Sequence, residues 1–435
     1  MALATFSGGI HPPDKKELSK DKAITPTRPP KRVVIPLAQH IGAPCKLAVA
    51  IGQEVKMGEV IGTPEGFVSA PVHASVSGKV VAIGDFPLPT GRMATSVVIE
   101  NDGKDEWSPL KDNPDYMSLS PEELKGKVKD AGLVGMGGAA FPAHVKLSPP
   151  KEKPVDVVIL NGAECEPYLT ADYRLMIERP GDVVEGLKVL MRILGVTRGF
   201  IGIENNKPDA IEAMNKAVSG SPEIQVCPLE VKYPQGAEKM LIKAAVSREV
   251  PARGLPMDVG VVVQNIGTAI AVYEAARYGK PLVERVVTVT GEGVKEPKNL
   301  NVRIGTLVTD LIENCGGFSS AVAKVISGGP MMGFALSSLE VPVTKGTSGI
   351  LALPEEGISH SEEFGPCIRC GRCIDICPMG LMPSMLSVLS EKGFHEEARD
   401  YNLYDCFECG SCTYVCPSKR PIVQLIRLSK SLVKP

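Results

Sequence analysis

The sequence predicts a multidomain protein of α/β and β modules, and three observations predict it. The chain has 435 residues, more than a single hydrophobic core usually serves. Its apolar pattern changes along the length, from short valine- and isoleucine-rich runs to alternating strand and helix signals and back again. Eight of its twelve cysteines fall in two matching runs near the C-terminal end. Hydrophobic content of 43% and charged content of 23% are those of an ordinary globular chain. A net charge of −2 gives no footprint for nucleic acid. No apolar run reaches the roughly 18–20 residues that span a bilayer, and no leader is evident. The expectation is a cytoplasmic chain without transmembrane insertion, docked on another protein if it works at a membrane.

Residues 1–30 are rich in proline and lysine without hydrophobic period, which predicts an extended arm wrapping the body. Residues 31–105 read as all-β, with strands at Val33–Leu37, Lys79–Ile83 and Ser96–Glu100 between glycine turns. Residues 121–280 alternate: strands at Pro154–Leu160, Gly199–Ile203 and Asp258–Val263, and helices at Asp182–Leu194, Pro208–Val218, Gly236–Val246 and Thr268–Tyr278. Such alternation predicts a layered α/β domain. Residues 284–352 return to β character, with a strand at Arg285–Thr290 and a helix near Thr306–Asn314. Residues 360–435 hold the cysteine runs, with helices expected at Ser384–Lys392, Glu396–Tyr401 and Ile422–Leu432.

The first cysteine run is Cys367, Cys370, Cys373, Cys377, Pro378; the second is Cys406, Cys409, Cys412, Cys416, Pro417. Both have the C-x2-C-x2-C-x3-C-P spacing of a bacterial-type ferredoxin. Three close cysteines on a tight loop supply three corners of a cubane cluster, and in two-cluster folds the fourth comes from the other run. Cys367, Cys370, Cys373 and Cys416 are therefore assigned to one [4Fe–4S] cluster, and Cys377, Cys406, Cys409 and Cys412 to the second. Structural zinc usually takes C-x2-C pairs, often with histidine. Disulfides do not suit so dense a set of thiols in a chain expected in a reducing compartment.

Two further segments suggest a ligand site. Gly132–Leu147 holds clustered glycines, then Phe141, Pro142 and Lys146. Glycines let a backbone approach a phosphate or ring and aim its N–H groups there. The segment is neither a Walker loop nor a G-x-G-x-x-G turn directly after a first strand, so a plain turn stays open as a reading. The segment N-G-A-E-C-E-P follows the strand Pro154–Leu160, which places Asn161, Glu164 and Glu166 at the carboxyl end of a strand, where α/β sheets bind ligands.

These segments resemble the flavin- and NADH-binding 51-kDa polypeptide of complex I. The glycine loop is similar to that family's G-x-G-x-G-G-A-G-F-P-x-x-x-K pattern. Asn161–Pro167 resembles its N-x-D-E-x-E-P, and Tyr233–Glu238 its Y-x-x-G-E-E. Gln264, Asn265 and Thr268 fall where it has an asparagine pair and a threonine. The chain departs from the pattern at Met136 (arginine there), Ala140 (glycine), Ala163 (aspartate), Ala237 (glutamate) and Gln264 (asparagine). Residues 49–62 and 69–80 resemble the β-sandwich of lipoyl and biotinyl carrier domains, but the tip reads Pro71, Val72, His73, Ala74, without the modifiable lysine. A structural or docking role is expected for it. The whole order is arm, carrier-like sandwich, flavin-type α/β domain, β-grasp (SLBB-like) module and ferredoxin-type helical domain. It resembles the RnfC family, one component of the Rnf electron-transport complex, over essentially the full length.

The resemblance implies an NAD(H)-facing component of a membrane-bound ferredoxin:NAD+ oxidoreductase coupled to Na+ or H+ translocation. It implies FMN and two [4Fe–4S] clusters, NAD(H) as substrate, other Rnf subunits as partners, including a ferredoxin-type one, and a peripheral place on the cytoplasmic face. The site residues it implies are Gly135, Gly137, Gly138, Ala139, Phe141, Lys146, Asn161, Glu164, Glu166, Tyr233, Glu238, Asn265 and Thr268. No general acid or base is expected. Two alternatives stand beside it: a flavin-dependent cobalamin reductase without a membrane complex, and a wiring subunit that has lost its flavin.

Overall fold

In the computed structural model, residues 3–319, 321–358 and 364–434 are described. The ends of the expected arm and cluster domain (1–2, 360–363 and 435), and Ser320 of the 284–352 module, lie outside the described residues. Over the described residues the protein is a mixed α/β structure with four sheets.

Two small antiparallel sheets form the first β unit. One carries Arg32–Pro36, Met93–Asn101, Gly78–Pro87 and Glu54–Val55, the other Lys46–Leu47, Val60–Thr63 and Val72–His73. They share a core of Val33, Ile35, Ile61, Val72, Val80, Val97 and Ile99. Val33, Val34 and Ile35 are buried in succession, without the alternation of a strand solvated on one face. The reason is that Val34 and Val98 pack on Leu307 of the 284–352 module. Gly305 makes that approach possible: at φ +93° a Cβ there would lie 2.8 Å from Ile35.

The hairpin tip Pro71–Ala74, the exposed end in carrier domains, is here buried. Lys345 reaches under it and donates from Nζ to the carbonyls of Pro71 and Gly132, both at 2.7 Å. Burial pulls the Lys345 amine down to about 7. Burial, with Lys345 second, pulls His73 down to about 3. Between pH about 7 and 10.5 the unfolded lysine holds a proton that the folded one has released. Stability from this group therefore rises with pH across that window. Lys345→Met is expected to remove that rise, measured as the difference between wild-type and variant denaturation midpoints from pH 7 to 10.

The third sheet is parallel, in the order Ile224–Leu229, Gly199–Glu204, Val157–Gly162, Val261–Asn265. Val157–Leu160 are all buried, as a central parallel strand requires. The helices Pro180–Leu194 and Ile266–Tyr278 cross on one face, touching at Gly186, where a Cβ would lie 2.0 Å from the Ala269 carbonyl. Glu238–Val246 covers the other face with Leu241 and Ile242. Among the described residues, two helices of eight residues or more escape the sequence reading, beside the single-turn helices Ala143–Lys146, Arg372–Asp375 and Ser411–Tyr414. Pro121–Asp130 carries a full capping box, Ser120 with Glu123, and proline in its first turn. Ala171–Glu178 starts where Glu164 folds back to hold its first amides. The third expected strand begins at Val261, because Pro256–Val259 form a 3-10 turn closed by Gly260 at φ +71°.

The fourth sheet has six strands, in the order Ile24–Pro26, Lys298–Arg303, Glu284–Thr290, Gly349–Pro354, Val322–Ser327, Phe334–Ala335. Its first strand comes from the arm and pairs parallel to Lys298–Arg303. The arm thus adds a sheet edge to its extended path. Ser19 and Lys22 carbonyls accept from Asn299 Nδ2, which fixes the register. In the last unit Pro383–Glu391 and Ile422–Leu432 pack together through Leu386, Ile422 and Ile426. The expected helix at Glu396–Tyr401 is a 3-10 turn, Glu397–Tyr401, ended by Asn402 at φ +57°.

Candidate functional site

The glycine loop leaves Val134 and returns at Pro142, a pair joined by an isolated bridge. Gly135 N–H donates to the Phe141 carbonyl at 2.8 Å, and Ala140 N–H to the Gly135 carbonyl at 3.1 Å, so the loop closes on itself. Gly137, Gly138 and Ala139 are exposed at its crest, and Phe141 is half-buried. Gly138 sits at φ +109° with nothing within 4 Å of a would-be Cβ, a backbone open to any group that approaches. The base of the loop is fixed. Thr268 Oγ1 accepts from Met136 N–H at 2.9 Å, and Arg285 Nη2 donates to the Met136 carbonyl at 3.1 Å.

Beneath the crest lie the carboxyl ends of two strands. Asn161 Nδ2 donates to the Gly236 carbonyl at 2.7 Å. Asn265 caps Thr268 N–H and donates to Asp172 Oδ2 at 2.6 Å, and its Cβ faces Gly137. Lys146 Nζ donates to Glu238 Oε1 (2.6 Å) and to the Val263 carbonyl (2.7 Å). The structure therefore brings Gly137, Lys146, Asn161, Glu238, Asn265 and Thr268 to one end of the parallel sheet.

Glu164 and Glu166 are placed differently. Glu164 (φ +47°) accepts from the Asp172 and Tyr173 amides at 2.7 and 3.2 Å, which commits it to a helix start. Glu166 points toward the 284–352 module and accepts from the Met331 and Met332 amides at 3.1 and 2.9 Å. Burial pushes the Glu166 carboxyl up to about 7, against those two hydrogen bonds. Tyr233 is buried, and its Oη donates to the Cys409 carbonyl at 2.7 Å. Burial, with Glu166 second, holds its phenol well above the usual range. Tyr233 is thus a bridge between the glycine-loop domain and the second cysteine run.

The sulfurs gather in two places. Cys377, Cys406, Cys409 and Cys412 line one cavity; Cys367, Cys370, Cys373 and Cys416 line another. Each set takes three residues from one run and the fourth from the other. No cysteine is in a disulfide. Among the described residues no three His, Cys, Asp or Glu side chains are placed to hold a single metal ion. Four thiols around a cavity suit a cluster, whose sulfurs stand farther apart than the ligands of one ion.

The cavity of Cys377, Cys406, Cys409 and Cys412 is clamped from three sides. Gly9 N–H donates to the Ile376 carbonyl, and Ile10 and Tyr233 exchange both backbone bonds, all at 2.8 Å. Gly8, at φ +79°, lies so close that a Cβ would meet Ile376 O at 2.9 Å. Gly410 packs on the Met331 carbonyl, 2.9 Å from its would-be Cβ.

The sequence reading missed Arg285, Asp172, Met331 and the clamp by Gly8. Arg285 is buried and also donates to the Lys345 carbonyl at 2.5 Å; burial pulls it down to about 10. Burial, with Glu164 second, pushes Asp172 up to about 7. The available signal for Arg285 was an ionisable residue inside the apolar run Arg285–Thr290. For Gly8 it was the glycine pair in an otherwise proline-rich arm.

Known families match the chain in the same order. Residues 4–104 match the RnfC barrel sandwich hybrid domain, 128–274 the Nuo51 FMN-binding domain, 286–335 the SLBB domain and 366–419 the 4Fe-4S dicluster domain. The chain is 55% identical over 431 residues to the RnfC-type component of the proton-translocating ferredoxin:NAD(+) oxidoreductase complex of Clostridium ljungdahlii, covering 99% of this chain and 94% of that one. It is 48% identical over 427 residues to the counterpart in the Na(+)-translocating complex of Acetobacterium woodii, covering 98% and 96%. A solved NAD+-reducing [NiFe]-hydrogenase in the air-oxidised state shares the fold over 74% of this chain and 64% of that one, with a TM-score of 0.51 and 18% identity.

Proposed function

This chain belongs to the RnfC family of the ion-translocating Rnf complexes, and on that premise we propose that it is the NAD(H)-facing electron-transfer component of a ferredoxin:NAD+ oxidoreductase. It holds FMN and two [4Fe–4S] clusters and works with the other subunits of that complex. The observation that carries the reading is the Tyr233 bridge, because one side chain joins the glycine-loop domain to the loop of Cys409. When bound, FMN supplies the exchange between the two-electron chemistry of nicotinamide and the one-electron chemistry of clusters.

The residues at the loop fit such a group. Gly137, Gly138 and Ala139 present an open backbone, and no side chain stands over Gly138. Lys146 brings a cation to the same strand ends, held in place by Glu238 and the Val263 carbonyl. Asn161 and Asn265 brace those ends, while Thr268 and Arg285 keep the loop base from moving. We assign Gly135, Phe141, Glu164, Glu166 and Tyr233 to the surround, with Glu164 acting through the helix it caps. We assign Cys367, Cys370, Cys373 and Cys416 to one cluster and Cys377, Cys406, Cys409 and Cys412 to the other, a reading supported by the two cavities they line.

We read 31–105 as the carrier-like sandwich, its buried tip a packing element, and 121–280 as the FMN/NAD(H) domain. We read 284–352 as a β-grasp module, on the parallel pairing of Glu284–Thr290 with Gly349–Pro354 at the centre of its sheet, and 360–435 as the two-cluster domain. Residues 1–30 are the arm. No helix among the described residues is long and apolar enough to cross a membrane. Membership of the Rnf family supports a peripheral place for the chain, on the cytoplasmic face of the complex.

Gly138→Val tests the site. A β-branched residue at φ +109° is strained and fills the open crest. The variant is expected to lose its flavin, read by fluorescence of the acid extract, with iron content unchanged. Full retention of flavin would place the site elsewhere.

A further inference from the structure

We infer that the cavity between the arm, the glycine-loop domain and the 284–352 module is a binding site for a small monocarboxylate with an apolar body. The inference goes beyond the function proposed above, and only its effect on FMN rests on that reading.

The cavity has a volume of about 190 Å³. It lies at the base of the glycine loop, away from the crest: Gly137, Lys146, Asn161 and Glu238 are not among its lining residues. Ile24 of the arm, the helices Ala171–Glu178 and Ile266–Tyr278, and residues 280–286 contribute its walls. Leu175, Ile270, Ala271, Leu282 and Val286 are buried and give it an apolar floor. Such a floor takes an apolar body out of water.

Its charges are arranged in two ways. At the mouth Arg179, Glu274, Lys280 and Glu284 are half-buried and cancel in pairs. Glu274 meets Arg179 at 2.8 Å and Lys280 at 3.0 Å, and Lys280 meets Glu284 at 2.9 Å. At the back Arg285 is buried, and among the described residues no carboxylate lies within ion-pair distance of it. Asp172 attracts it from farther off and is itself bonded to Asn265. Three of the five guanidinium N–H groups donate to the carbonyls of Val286, Lys345 and Met136, which leaves two. A buried cation without a counter-ion is costly. A ligand carboxylate supplies both the charge and the two acceptors.

Met136 links the cavity to the loop. Its side chain lines the cavity, its carbonyl accepts from Arg285 Nη2 at 3.1 Å, and its N–H donates to Thr268 Oγ1 at 2.9 Å. An occupant bound to Arg285 holds the guanidinium that holds the loop base.

The test uses the full chain with its clusters and FMN, and benzoate as the probe in a calorimetric titration. Benzoate is expected to bind with a dissociation constant on the order of 1 mM or below. Benzamide, the same body without the charge, and acetate, the charge without the body, are each expected to bind about tenfold or more weakly. Ala271→Leu fills the floor and is expected to weaken benzoate binding about tenfold or more, with iron and flavin content as in wild type. Arg285→Met is expected to lose benzoate too, but it also frees the loop base, so Ala271→Leu is the deciding variant. Benzoate is expected to slow FMN release about fivefold or more in the wild type and to leave it unchanged in Ala271→Leu. A wild type that binds no benzoate, benzamide bound as tightly as benzoate, or undiminished binding in Ala271→Leu overturns the site. FMN release that ignores bound benzoate overturns the link to the loop. A chain that binds benzoate in this pattern but retains no FMN overturns the proposed function instead.

Discussion

Cys409→Ala is expected to lose about half the bound iron, with the remaining cluster absorbance belonging to the cavity of Cys370. Cys409 is one of four thiols around its own cavity, and a cubane cluster held at three corners is readily lost. The substitution leaves the backbone in place, so Tyr233 keeps the carbonyl to which it donates. Ligand loss is thereby separated from loosening of the clamp. Cys370→Ala is expected to lose the other half. The two variants differ in kind: bleaching by NADH is expected to fail in Cys409→Ala and to persist at the clamped cluster in Cys370→Ala. Cys165→Ala is the control. Cys165 is a half-buried residue whose thiol is pushed up by desolvation and accepts from Gly236 N–H at 3.2 Å, and iron content is expected to be unaffected. Wild-type iron in Cys409→Ala sinks the ligand assignment.

Gly8→Val is expected to slow bleaching of the clusters by NADH by about tenfold or more while leaving bleaching by dithionite intact. A Cβ at this position would lie 2.9 Å from Ile376 O, and φ is +79°, so a β-branched residue is both strained and in collision with backbone. The strain alone is on the order of 1–3 kcal/mol, enough to lift the arm from Ile376. Cys377 follows Ile376, and Tyr233 exchanges backbone bonds with Ile10, so both the cluster loop and its bridge are freed. Misplacement of about 1 Å costs reacting groups that much or more. Gly66→Val is the control for strain without collision, since Gly66 has φ +82° and nothing within 4 Å. Equal bleaching rates in wild type and Gly8→Val would mean that the clamp does not set the spacing.

The elements with strong local signals were legible in the sequence. The strand Val157–Gly162, the helix Pro180–Leu194 and the helix Ile422–Leu432 follow from apolar period alone. The cysteine runs were legible because spacing on a tight loop is itself geometry. What was not legible depends on partners distant in the chain. Glu164 looks like a loop carboxylate, and only the fold shows the helix start it serves. Glu166, two residues on, turns the opposite way to the Met331 amide. Ile24–Pro26 has no strand pattern because its pairing is supplied by Lys298–Arg303. The buried tip of the sandwich looks like a carrier hairpin until Lys345 is seen beneath it.

The arm also sets the order in which the molecule can be completed. Residues 4–26 leave the ribosome well before their partners Leu229, Tyr233, Asn299 and Ile376. Closing so long a loop is entropically costly and slow compared with local folding. The arm can therefore seat only in stages, and its contact with Ile376 comes after the first cysteine run has been made. Until that contact forms, the loop of Cys377 lacks the cover of Gly8 and Gly9. The wall that the arm forms beside Cys377 is thus among the later parts of the molecule to be added.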